Sequence, residues 1–73
     1  MRNEIYSNGH RFLTQQLKKA RENSGFSQKD VAELLTKTQS YVSKIEAGQR
    51  RIDVIQLQEF AKIYRKKINF FIK

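Results

Sequence analysis

The chain contains no cysteine, no proline and no tryptophan. Without cysteine there is no disulfide, no thiolate nucleophile and no cysteine-based zinc site. A single histidine, His10, cannot assemble a multi-histidine metal centre. Glycine is scarce too, with Gly9, Gly25 and Gly48 the only three. So few breakers predict a chain that is mostly helix, joined by tight turns. No segment keeps the strict polar–apolar alternation of a half-buried strand. There is no run of about 18 apolar residues of the kind a membrane span requires. The first eight residues do not place a basic stretch before an apolar one, as a secretory leader would. The expected location is the cytoplasm, with no membrane partner.

Acidic residues are outnumbered: seven Asp and Glu face 15 Lys and Arg, a formal net charge of +8 in 73 residues. That length predicts one domain with a compact core. Such a positive field draws nucleic acid or an anionic surface, and it equally serves solubility. For catalysis the sequence offers little. It has no glycine-rich phosphate loop, His10 has no evident acid or serine partner, and the chain is short for an enclosing cleft. No enzyme activity, cofactor, metal or small-molecule ligand is expected.

Residues 1–9 read as an N-terminal arm, from which Ile5 and Tyr6 can pack back, and residues 10–73 as the domain. A first helix is predicted from about Arg11 to Asn23, because Phe12, Leu13, Leu17 and Ala20 follow the three-and-four spacing of one buried stripe. Gly25 supplies a turn. Ser27 with Asp30 three residues on is a capping box, and Phe26 with Val31 is a hydrophobic staple; together they start a second helix ending near Leu35. After a turn at Thr36 and Lys37, Thr38 caps a third helix from Gln39 to Ala47, stopped by Gly48. Asp53 with Gln56, and Ile52 with Leu57, start a fourth on the same logic. Leu57, Phe60, Ala61 and Tyr64 continue its buried stripe, which argues for core rather than a base-stacking platform at Phe60 and Tyr64. A short terminal helix covers Ile68 to Ile72. The fold class is all-α, four main helices plus a short C-terminal fifth.

Two short helices joined by about three residues make a helix-turn-helix unit. Stepping about 100° per residue from Gln39, Ser43 falls near 40°, Ala47 near 80°, Ser40 near 100° and Lys44 near 140°, while Ile45 and Val42 fall near 240° and 300°. One side of the third helix is thus an apolar anchor. The opposite arc is small and polar, which suits either an ordinary solvated face or close approach to the floor of a groove. Gln can bridge two atoms of adenine in the major groove, Ser can donate or accept, and Lys can reach guanine or phosphate. Arg50 and Arg51 follow on a loop from which they can grip backbone phosphates. Tyr41, near 200°, can reach phosphate through its hydroxyl or pack beside the second helix. Phe70 and Phe71 are adjacent and cannot both turn fully inward, so an exposed aromatic there is a candidate dimer contact. The basic cluster Lys62, Arg65, Lys66, Lys67 and Lys73 reads mainly as a solvated face.

From Leu13 to Ile72 the sequence resembles the Cro/CI-type, lambda-repressor-like (XRE-family) helix-turn-helix domain. The matching runs are LKKAREN from Leu17, GFSQKDVAELL from Gly25, TQSYVSKIEAGQ from Thr38 and RRIDVIQLQEFA from Arg50. They cover roughly four fifths of the chain, and the glutamine and SYVSKIE elements are specific when their spacing holds. The resemblance implies a sequence-specific DNA-binding regulator, a repressor, reading duplex DNA with Gln39, Ser40, Ser43 and Lys44. It implies a phosphate contact at Gln28 and a partly buried structural salt bridge between Arg21 and Glu46. It also implies a homodimer on a two-fold symmetric site. Two departures stand out. Thr36 takes a place where glycine is common, and β-branched residues disfavour left-handed torsions, which predicts a variant turn. Lys37 stands where an apolar residue is frequent. The alternatives are a DNA-binding antitoxin or restriction-modification controller within the same class, and a protein-interaction adaptor using the same helix face.

Overall fold

A computed structural model describes residues 8–72. The arm expected over residues 1–9, with Ile5 and Tyr6, falls outside them except for Asn8 and Gly9, and so does Lys73. Four α-helices follow one another: α1 at Asn8–Asn23, α2 at Gln28–Leu35, α3 at Gln39–Glu46 and α4 at Val54–Tyr64, with a closing 3-10 turn at Ile68–Phe70. No strand occurs among the described residues. None of the described helices is long and apolar enough to cross a membrane.

Helix α1 begins three residues before the Arg11 start that the apolar spacing suggested. Asn8, Gly9 and His10 carry no signal of their own, but extending an already nucleated helix adds one hydrogen bond per residue fixed. The other starts fall where their caps predict. The Ser27 hydroxyl accepts from the Asp30 amide at 3.0 Å, and the Ser27 amide donates to the Asp30 carboxylate at 2.9 Å. Asp53 and Gln56 make the same reciprocal pair at 2.7 and 3.0 Å. Thr38 accepts from the Tyr41 amide at 3.1 Å. Each cap satisfies donors that the first turn of a helix leaves orphaned.

The turn between α2 and α3 corrects one expectation. Thr36 is left-handed, at φ 59° and ψ 46°, and its amide together with that of Lys37 bonds back to carbonyls at the end of α2. The glycine-type geometry is therefore kept without the glycine. Crowding of a β-branched Cβ in that conformation costs about 1–2 kcal/mol, which the tertiary packing on either side overrides. Gly48, at φ 77°, ends α3 as its sequence position suggested.

The core draws on every helix. Leu17 and Ala20, Val31 and Ala32, Val42 and Ile45, and Leu57, Phe60, Ala61 and Tyr64 are all buried, closed over by Phe71. On α1 the buried line runs through Thr14, Leu17 and Ala20, while Phe12 and Leu13 are only half-buried. The Thr14 hydroxyl avoids an unmet donor by bonding the Arg11 carbonyl at 3.0 Å. The terminal turn is tied to α1 by the Gln16 side-chain amide, which donates to the Phe70 carbonyl at 2.9 Å.

Candidate nucleic-acid interface

Helix α3 is held from behind by Val42 and Ile45, neither of which has any exposed surface. A helix of eight residues so anchored presents its remaining arc outward without freedom to roll. On that arc Gln39, Ser40, Ser43, Lys44 and Ala47 are all exposed. Nothing bulky or acidic stands among them, so another surface can approach closely. Lys37, Arg50 and Arg51, just before and after the helix, are exposed as well.

The two edges of the arc differ. On the edge towards α1 and α2, Glu46 is nearly enclosed. Arg21 Nε donates to it at 2.7 Å and a second guanidinium nitrogen at 3.2 Å, while the third donates to the Phe26 carbonyl at 2.9 Å. The ion pair is largely buried, with side-chain exposures of 12% for Arg21 and 4% for Glu46. The hydrogen bond that the guanidinium donates to Glu46 keeps it above its ordinary pKa, against the opposing effect of burial. The Gln28 side-chain amide adds a further bond to Glu46 at 3.1 Å. Gln28, expected as a phosphate ligand, is thus half-buried and braced against α3. That bond uses one of its two amide hydrogens. A small hollow of about 180 Å³ lined by Lys18, Gln28, Ser43, Glu46 and Ala47 lies there.

On the other edge lies an open depression of about 790 Å³, whose lining includes Thr36, Lys37, Ser40, Tyr41, Lys44 and Arg50. Tyr41 forms its wall. The ring is buried and stacks on Phe60 with centroids 6.4 Å apart and planes 9° from parallel. Its hydroxyl is enclosed and has no hydrogen-bond partner among the described residues. Burial pushes the phenol above its ordinary pKa, with Arg50 opposing. The enclosed hydroxyl is therefore not presented to a phosphate, and the ring packs on α4 through Phe60. What the ring does meet is charge: Arg50 lies over it at 4.9 Å and Lys37 at 5.3 Å.

At the far end, the Phe70–Phe71 pair divides. Phe71 has no exposed surface and belongs to the core, so it cannot serve as a dimer contact. Phe70 is half-buried, edge-on to Phe71 at 5.1 Å, and is covered by the Lys66 ammonium at 4.7 Å. Ile72 is the exposed apolar residue of this segment. Tyr64 sits deep in the core, and burial raises its pKa further from neutrality. No cluster of three or more metal-ligating side chains occurs among the described residues. Sequence reasoning passed over Lys37 and Lys18 as members of the two edges. The spacing of Lys37 four residues before Tyr41 was a usable signal for the first; the second depends on how α1 docks.

A helix-turn-helix family model, HTH_3, matches residues 17–71. The fold is similar to that of the restriction-modification controller protein C.AhdI from Aeromonas hydrophila, with a TM-score of 0.79 and 25% identity over 86% of this chain and 96% of that one. It is also similar to apo-HppE, with a TM-score of 0.83 and 22% identity over 90% of this chain and 37% of that one. An HTH_3 family transcriptional regulator from Vibrio cholerae gives a TM-score of 0.76 and 22% identity over 85% of this chain and 35% of that one. The chain thus spans little more than a third of those two proteins, and the likeness to them is one of fold. No curated protein matches the sequence. With the family model running from Leu17 through both helices of the unit to Phe71, the chain belongs to the HTH_3 helix-turn-helix family.

Proposed function

We propose that this protein is a DNA-binding transcriptional regulator that reads duplex DNA by laying α3 in the major groove. The observation that carries the reading is the exposure of Gln39, Ser40, Ser43 and Lys44 on one arc of a helix fixed from behind by Val42 and Ile45. Such side chains match the hydrogen-bonding edges of bases, and a recognition helix enters a groove of this width with its N-terminal residues foremost. Arg50 and Arg51 hold the backbone, with Gln28 at the start of α2 adding a phosphate contact from its second amide hydrogen. These contacts set register rather than sequence. The protein acts as a repressor by occupying its site, and as a homodimer whose two copies of α3 read a two-fold symmetric sequence. Of the terminal residues, Phe70 and Ile72 rather than Phe71 have surface to offer a second copy.

Selection of bound sites from random duplex DNA tests this directly. A symmetric enriched motif is the expected result; absence of any enriched motif overturns it in favour of a protein-binding adaptor. Salt gives an independent check, because affinity for DNA should fall by orders of magnitude between about 50 and 200 mM.

A second reading within the same class, a restriction-modification controller, is favoured by the similarity to such a protein over 96% of its length. It predicts that the selected motif recurs upstream of the protein's own gene, beside genes for a nuclease and a methyltransferase.

A further inference from the structure

Tyr41 stands out because its polar atom is shut away while its ring is in contact with two cations. The hydroxyl is enclosed and unpartnered. The Arg50 guanidinium and the Lys37 ammonium lie 4.9 and 5.3 Å from the ring centroid. The ring itself is immobilised, since it is buried, follows the Thr38 cap in the first turn of α3 and stacks on Phe60. Arg50 comes from beyond the other end of the helix and reaches back across it. We infer that Tyr41 is a positioning residue, a fixed aromatic platform that holds the Arg50 and Lys37 side chains over the open edge of α3, ready for one anionic group to bridge them.

Three arguments support this. An arginine or lysine on a solvent-exposed loop has many rotamers, and ordering it on binding costs free energy that a preordered side chain has already met. The negative face of an aromatic ring attracts a cation without consuming its hydrogen-bond donors, so the guanidinium and ammonium stay free to meet phosphate oxygens. Finally, two positive charges gathered at one ring lie within about one screening length of each other, roughly 10 Å. Each raises the cost of the other, and an anion placed between them relieves both. Lys44, which lines the same depression, adds to that field, and the Glu33 carboxylate, which lines it too, opposes it, leaving three cations against one anion. The bridging group has the chemistry of a phosphate oxyanion, and its source is the DNA backbone. This identification of the ligand rests on the DNA-binding reading; the platform itself does not.

The experiment has two arms. Without DNA, NMR of the full chain reads the ring current of Tyr41 on the side-chain protons of Arg50. Upfield-shifted Arg50 protons are expected in the parent and in Tyr41→Phe, and random-coil positions in Tyr41→Leu. Random-coil positions in the parent overturn the platform, whatever the protein binds. With DNA, titration of a random-sequence duplex over 50–200 mM salt compares the parent, Tyr41→Phe, Tyr41→Leu, Arg50→Ala and the Tyr41→Leu/Arg50→Ala double variant. Tyr41→Phe should match the parent, because only the sealed hydroxyl is lost. Tyr41→Leu should weaken binding about two- to five-fold, and should do less once Arg50 is already alanine, because only Lys37 then remains to be released. Full additivity of the two substitutions overturns the coupling. Shifted Arg50 protons in a protein whose binding does not respond to salt would keep the platform and remove the DNA backbone as its ligand. Should Tyr41→Leu fail to fold, the parent and Tyr41→Phe spectra with the Arg50→Ala salt series still decide.

Discussion

The two edges of α3 are built on opposite principles. Towards α1 and α2 the edge is closed: Glu46, Arg21 and Gln28 exchange directional hydrogen bonds and their charges cancel. Towards the α2–α3 turn the edge is open: Lys37, Lys44 and Arg50 line a depression, two of them resting on an aromatic face without a hydrogen bond to it. A hydrogen-bonded ion pair has one good geometry, whereas stacking against a ring tolerates sliding. The closed edge therefore fixes the tilt of α3 and the open edge supplies charge that can adjust to a partner. A helix that must be aimed and must also adapt needs one of each.

Breaking the closed edge should have the largest effect. Glu46→Ala strands the Arg21 guanidinium in a largely buried site and leaves the Gln28 amide without its acceptor. The expected loss is about 3–5 kcal/mol, the usual consequence of removing one member of a buried pair. Chemical denaturation measures it. The double substitution Arg21→Met/Glu46→Leu removes both charges and should recover most of the loss, because no ion remains unpaired. A loss below about 1 kcal/mol for Glu46→Ala would mean that this edge behaves as an exposed pair, and the contrast would collapse.

Between the edges, reading and gripping should separate. Gln39→Ala is expected to cost about 1–3 kcal/mol on the preferred site and to relax specificity at one position. Arg51→Ala is expected to weaken every sequence alike and to reduce the slope of log affinity against log salt by about 0.9. Competition binding with cognate and random duplexes measures both. Equal effects of the two substitutions on both duplexes would show that the arc and the loop do the same work.

Much of this was legible in the sequence, for reasons that are local. Capping boxes and staples act over three to five residues, so Ser27–Asp30 and Asp53–Gln56 announce the starts of α2 and α4 without tertiary information. The exposed arc of α3 follows from helical spacing alone, and the all-α architecture with its short closing turn follows from the stripes and the missing breakers. The edges were less legible. Arg21–Glu46 came from resemblance, not from residue chemistry, since it joins residues 25 apart. The Gln28–Glu46 and Gln16–Phe70 bonds span 18 and 54 residues and exist only once the helices have docked. The division between Phe70 and Phe71 is settled by the axis of a single 3-10 turn. Thr36 shows the reverse case: its β-branched side chain disfavours the left-handed turn locally, and the packing of α2 on α3 overrides that preference.

That overruled preference offers a smaller perturbation, placed on the open edge. Thr36→Gly removes the crowding of a left-handed β-branched residue. The gain, about 1–2 kcal/mol in the folded state, is offset in part by the greater freedom of glycine in the unfolded chain. A net stabilisation of about 1 kcal/mol is expected, seen as a higher denaturation midpoint with an unchanged denaturant slope. DNA affinity should stay the same, because the turn already holds the geometry that glycine prefers. A loss of stability would mean that the Thr36 side chain contributes more to the open edge than its backbone strain costs.

The smallest effect belongs to the start of α2, next to the closed edge. The Asp30 carboxylate accepts from the Ser27 amide and so is held below its ordinary pKa. A carboxyl group whose pKa is depressed on folding binds its proton more readily in the unfolded chain. Its contribution is therefore complete above the ordinary carboxylate range and is lost as pH falls through the folded-state value. Asp30 is fully exposed, so solvent screens the interaction and the effect is slight. Denaturation followed from pH 7 down to pH 2 should show a shallower acid limb for Asp30→Asn than for the parent protein, with the two curves converging at the acid end. If the limbs remain parallel, the carboxylate adds nothing beyond the Ser27 hydroxyl.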